Sequence, residues 1–205
     1  MKIGLLAFLI LFTAAACTDF DREEQLRKVE NLNQQVDSLQ VALQEHRVDT
    51  LVHLRTAVNT LELRIRNNYT ADTIDVALGE KMEKFRQLKK FFMAEHEAEG
   101  EEEGEGKGLN HHTLGSAYVA VKRGMIAEKS TLLKLKSDIS NGFGKRDKYN
   151  EYIEFEAGKV NQLCALLEDY KSHKDKILTD FKEVYGDLNA FAGKLESEKK
   201  SKAKK

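Results

Sequence analysis

The sequence predicts an all-α protein: an antiparallel four-helix bundle, or coiled-coil hairpin, whose two long outer helices form a stalk. Three observations predict it. The 205 residues include no proline, where average usage would supply about ten; proline breaks helix interiors, so its absence suits long helices and not turn-rich β folds. Apolar residues recur at alternating spacings of four and three, the seam of packed helices. One third of the residues are charged and only 8% are aromatic, as expected of narrow seams with wide solvated faces. Lys and Arg number 33 against 34 Asp and Glu, a net charge of −1, which argues against nucleic acid as a partner.

The elements follow in order. Over residues 20–66 the stripe is Leu32, Val36, Leu39 and Leu43, and it resumes at Leu54, Val58, Leu61 and Ile65. The eleven-residue step from Leu43 to Leu54 reads as a stutter within one continuous helix. Asn67-Asn68-Tyr69-Thr70 is turn-prone, and Thr70 or Asp72 can cap a second helix over 72–95. Its stripe is Ile74, Leu78, Met82, Phe85, Leu88 and Phe92. Residues 95–108 hold seven Glu, one Lys and four Gly. Such a segment buries too little to offset its ordering entropy, so a flexible acidic loop is expected over about 96–112.

A third helix covers about 113–140, with Leu114, Tyr118, Val121, Met125, Leu132, Leu135 and Ile139 on one face. Asn141-Gly142 is its stop signal. The fourth helix, 147–197, has the clearest seam: Tyr149, Ile153, Glu156, Val160, Leu163, Leu167, Tyr170, Lys174, Ile177, Phe181, Val184, Leu188, Phe191 and Leu195. Glu156 and Lys174 interrupt it and read as snorkelling side chains or local ion pairs. Short connections at 67–71 and 141–146 imply antiparallel neighbours. An up-down-up-down path then pairs the first and last helices antiparallel and leaves them as a two-stranded stalk. The path also returns the basic tail, 198–205, to the N-terminal side, where Lys199, Lys200, Lys202, Lys204 and Lys205 would meet anionic headgroups. Seam residues left open in such a stalk make a homodimer plausible.

The N-terminal segment is an address. Met1-Lys2 is positive, Ile3 to Phe12 is apolar, and Thr13-Ala14-Ala15-Ala16 precedes Cys17. The apolar run falls short of the roughly 20 residues that span a bilayer and has the layout of a signal peptide over 1–16. Small residues followed at once by Cys resemble the lipobox of bacterial lipoproteins. The resemblance covers residues 1–17 and implies diacylglycerol and acyl groups on Cys17, with membrane lipid as a partner. The family usually has Leu three residues before the Cys, where this chain has Ala14. Ala14 and Ala16 also fit ordinary signal peptidase, which would leave a soluble secreted protein.

By the same resemblance, Thr18 in place of Asp after the Cys implies the outer membrane. Asp19, Asp21, Glu23 and Glu24 resemble a surface-export signal of some Gram-negative lineages. They are equally an acidic first helical turn, which the helix dipole favours. With Cys17 acylated, Cys164 has no partner in the chain and no disulfide is expected.

Chemistry-bearing motifs are sparse. His96, His111 and His112, beside the glutamates of 95–105, are the only cluster of metal-ligand types, and no ligand spacing in it matches a metal motif. No specific metal site and no cofactor is therefore expected. G-x-S-x-G, P-loop and Rossmann patterns are absent from the sequence, and no enzyme is expected. Asp37-Ser38-Leu39, Asp49-Thr50-Leu51 and Asp72-Thr73-Ile74 resemble the acceptor triplet of a bacterial O-glycosylation system. The chain is distantly similar to murein lipoprotein, in which a lipidated Cys, a coiled coil and a C-terminal Lys joined to the cell wall occur together; Lys205 occupies the matching end. The expected function is a non-catalytic, lipid-anchored envelope spacer, scaffold or partner-binding module with an unidentified envelope partner. The alternative is a periplasmic holding chaperone, or a ligand or cation binder using the acidic loop.

Overall fold

In the computed structural model the described residues are 2–70, 75–89, 91–92 and 113–202, with backbone alone for 2–20 and for residue 50. Among them are five α-helices and no strand: α1 (Lys2–Glu45), α2 (Val52–Asn68), α3 (Val76–Lys89), α4 (Leu114–Asn141) and α5 (Tyr149–Lys202). The all-α expectation therefore holds. The chain divides into two compact units, one of residues 1–44 with 122–167 and the other of 45–121 with 168–205. Both α4 and α5 contribute residues to each unit.

Local chemistry sets the helix ends. Asp75 caps α3, its Oδ1 accepting the Ala77 N–H at 3.3 Å; of the two expected caps, Thr70 lies before the helix and Asp72 lies outside the described residues. Thr113 caps α4, its Oγ1 accepting the Ser116 N–H at 3.1 Å. At the far end of α4, Gly142 has φ +67°, and the N–H groups of Gly142 and Phe143 donate back to the carbonyls of Ile139 and Asp138. This is the paired closure that ends helices on a left-handed glycine. Tyr149 fastens the turn, its hydroxyl reaching the Phe143 carbonyl at 2.5 Å.

The expected continuous first helix is broken. α1 ends at Glu45, a 3₁₀ turn spans Asp49–Leu51, and α2 begins at Val52. The break brings both Val48 and Leu51 into the core. The His46 carbonyl, released from the helix, accepts the Tyr170 hydroxyl at 2.6 Å. An eleven-residue step can be absorbed by underwinding or by unwinding, and a buried tyrosine hydroxyl favours the second.

The expected antiparallel pairing of the first and last helices is also replaced. In the first unit α1 and α5 run parallel: Gln25 Nε2 donates to Asn150 Oδ1 at 3.3 Å, and residues Asn31 to Leu39 share a groove with Cys164. Helix α4 runs antiparallel to α1, joined by Lys136–Glu30 at 2.5 Å and by Lys129–Asp37. In the second unit α2 and α5 are parallel, with Arg64 bridging to Glu196 at 2.9 Å. Helix α3 runs antiparallel to α5, through Lys81–Asp187 at 2.5 Å and Lys84–Asp180 at 3.8 Å. Tyr118 at the start of α4 meets Tyr170 of α5 in the same unit. Among the described residues the first unit packs α1, α4 and α5 together, and the second packs α2, α3 and the start of α4 with α5. Tyr152, Phe155 and Leu166, which a fourth helix would cover, are exposed.

The α5 seam is as the spacing predicts. All twelve positions from Tyr149 to Leu188 are buried, Glu156 and Lys174 included. Beyond Leu188 the buried position is Ala192, while Phe191 and Leu195 are half-buried. Gly124 lets α4 and α5 approach closely: a Cβ there would lie 2.8 Å from Leu163 Cδ2.

Candidate functional site

Cys17 lies on α1 among residues described by backbone alone. His96, His111, His112, Lys204, Lys205 and the whole expected acidic loop lie outside the described residues. Lys199, Lys200 and Lys202 form the exposed last turn of α5. Lys199 Nζ donates to the Asn67 carbonyl at 3.1 Å, so this turn has its neighbour at the end of α2. Ser38, in the first acceptor triplet, donates to the Gln34 carbonyl at 2.9 Å within α1. His53 is exposed, and His173 packs edge-on against Phe91 at 5.8 Å. Cys164 is a half-buried free thiol.

The chemistry legible in the structure lies elsewhere, in polar groups inside the seams. In the first unit Asn33 of α1, Glu128 of α4 and Glu156 of α5 are exposed by only 5%, 5% and 7%. One cation serves both carboxylates: Lys159 Nζ is 2.7 Å from Glu156 Oε2 and 3.8 Å from Glu128 Oε2. The Lys159 ammonium also lies 4.7 Å from the Phe155 ring centre. Asn33 Nδ2 and Oδ1 and Glu128 Oε1 have no hydrogen-bond partner among the described residues. Burial, then hydrogen bonding to Glu156 and its charge, pushes the Glu128 carboxyl up to about 7, with Lys159 pulling the other way. One ammonium can balance one carboxylate, so a second ionised carboxylate in this layer is unfavourable. Glu156 is thus the locally paired residue its seam position predicts. Glu128, on the facing helix, drew no attention in the sequence because α4 carries several acids and bases on its faces.

In the second unit Lys174 is 6% exposed and has no hydrogen bond or ion pair among the described residues. Burial pushes its ammonium below the ordinary lysine range, with Asp175 opposing. Around it on α5 lie Tyr170, against Tyr118, and Phe181, against Phe85, Phe92 and Tyr185. A groove of about 650 Å³ opens between α2 and α3, lined by Leu63, Ile65, Tyr69, Leu78 and Met82. The Glu62–Arg86 ion pair, at 2.8 Å, crosses it.

Among the described residues no group of three or more His, Cys, Asp or Glu side chains is placed to hold a metal ion, and no helix is long and apolar enough to cross a membrane. No protein-family model matches the chain, and neither a curated protein nor a solved structure matches it.

Proposed function

We propose that the protein is a non-catalytic, lipid-anchored envelope protein whose helical units act as a scaffold or partner-binding module. The observation that carries this reading is the run of small residues Thr13 to Ala16 directly before Cys17, behind a short apolar segment. Packing supports it: only seven residues separate Cys17 from Gln25, whose amide already joins α5. As helix, that distance is about 12 Å, so an acyl chain on Cys17 would hold the first unit close to a bilayer. A single acyl chain anchors reversibly and several anchor stably, which suits a triacylated cysteine. Replacing Cys17 by serine is expected to move the protein from the membrane fraction to the soluble fraction. An unchanged distribution of Cys17→Ser overturns the reading.

A second reading, a holding chaperone, has the α2–α3 groove in its favour, since Leu63 stays 55% exposed there. It predicts that the protein suppresses aggregation of an unfolded outer-membrane protein in a light-scattering assay. Unchanged scattering at equimolar protein removes it.

A further inference from the structure

The polar layer of the first unit has a charge arithmetic that depends on one proton. We propose that Glu128 and Glu156 form a proton-operated switch: with one shared proton the layer is neutral against Lys159 and the packing of α4 on α5 is closed, and loss of that proton leaves two buried carboxylates against one ammonium and loosens it. The inference does not depend on the lipid anchor.

The groups facing the pair come from all three helices. From α5 they are Glu156 and Lys159. On α4, Lys129 and Lys136 flank Glu128 in sequence and are turned to α1, where they pair with Asp37 and Glu30. On α1 the charged groups that meet α4 are Asp37 and Glu30, and Asn33 between them is buried. Lys129 and Lys136 are thus engaged on the other side of the helix. Among the described residues the cation acting on Glu128 is Lys159, whose first partner is Glu156. Unpartnered atoms on Asn33 and Glu128 mean that the layer has hydrogen-bonding capacity for water once the packing opens. Close packing at Gly124 against Leu163, just over one helical turn away on α4, gives the opening something to undo.

The sign follows from linkage. A carboxyl whose value is raised in the folded state contributes stability that is complete below its unfolded value and is lost as pH rises through the folded value. For Glu128 that window runs from 4.5 to about 7. Acid therefore closes the first unit and neutral to alkaline pH loosens it. Exposed carboxylates held low by their cations, such as Glu30 by Lys136, act only below the ordinary carboxylate range and leave the window clear.

The test uses the full chain. Carboxyl carbon NMR of the wild-type protein is expected to show one glutamate of the pair titrating near neutral pH. Thermal unfolding is expected to show a midpoint lower at pH 8 than at pH 5 by about 5 °C or more. Amide exchange of residues 122–141, corrected for intrinsic rate, is expected to accelerate over the same range, with 176–190 as the internal reference. Glu128→Gln, neutral and isosteric, is expected to abolish both pH dependences. Titration of both glutamates in the ordinary carboxylate range overturns the proposal, and so does a Glu128→Gln variant that keeps the wild-type slope. If Glu128→Gln does not fold, the wild-type titration and Glu156→Gln decide.

Discussion

Replacing Phe181 by alanine lowers the stability of the second unit by about 3–5 kcal/mol. Phe181 is 5% exposed and sits at the centre of four rings. It stacks on Phe85 at 5.7 Å and on Tyr185 at 5.4 Å, and meets Phe92 edge-on at 5.3 Å. The substitution removes the transfer energy of the ring and leaves a cavity that three rigid neighbours cannot refill. Each lost ring pair adds roughly 0.5–1.5 kcal/mol. The control is Phe155→Ala on the same helix. Phe155 is 65% exposed and its main contact is the Lys159 ammonium, so its loss is expected to cost about 1 kcal/mol or less. Urea unfolding of both variants checks the contrast; equal losses contradict the packing described.

Replacing Lys174 by methionine is expected to stabilise the second unit by about 1–4 kcal/mol, the range for exchanging buried ionic groups for apolar ones. Methionine has a similar length and fits irregular space, and it removes the desolvation penalty of an ammonium. The pH dependence has a definite sign. Lys174 is depressed in the folded state, so wild-type stability is fullest above the ordinary lysine value and falls as pH drops toward the depressed value. The advantage of Lys174→Met is therefore present at neutral pH and shrinks as pH approaches 10.5. Other lysines and tyrosines titrate in both proteins and cancel in the difference. Thermal unfolding at pH 7 and pH 10 reads it. A variant less stable than wild type at pH 7 contradicts the burial cost assigned to Lys174.

The sequence made the seams legible, and the direction of the chain was not. Twelve consecutive α5 positions assigned to the seam are buried, because alternation of four and three over so long a helix has one geometric solution. The α4 terminus was legible for an equally local reason: Asn141-Gly142 supplies the left-handed residue the closure needs. Topology depends on the sense in which each helix runs, and no periodicity reports that. An alternating path makes the first and last helices antiparallel, whereas the described contacts make α1 and α2 each parallel to α5. The pairs that fix the true sense, Gln25–Asn150 and Arg64–Glu196, are exposed or half-buried polar contacts between residues more than 120 apart. They leave no local trace in the sequence. The break at 46–51 was hidden because unwinding and underwinding give the same spacing of Leu43 and Leu54.

The buried polar layer was half legible. Glu156 and Lys174 stand out as interruptions of an apolar stripe, and snorkelling or a local ion pair was the expectation for each. For Glu156 the partner is Lys159, one turn on; for Lys174 none is found among the described residues. What spacing alone could not reveal is that Glu128 on α4 faces Glu156. Two buried carboxylates against one ammonium show only when both helices are in register.

The functional account rests on Cys17, and the mass of the N-terminal peptide of the protein extracted from membranes tests it most directly. The account predicts a peptide beginning at Cys17 that carries diacylglycerol and acyl groups. An unmodified Cys17 at a free N-terminus contradicts it.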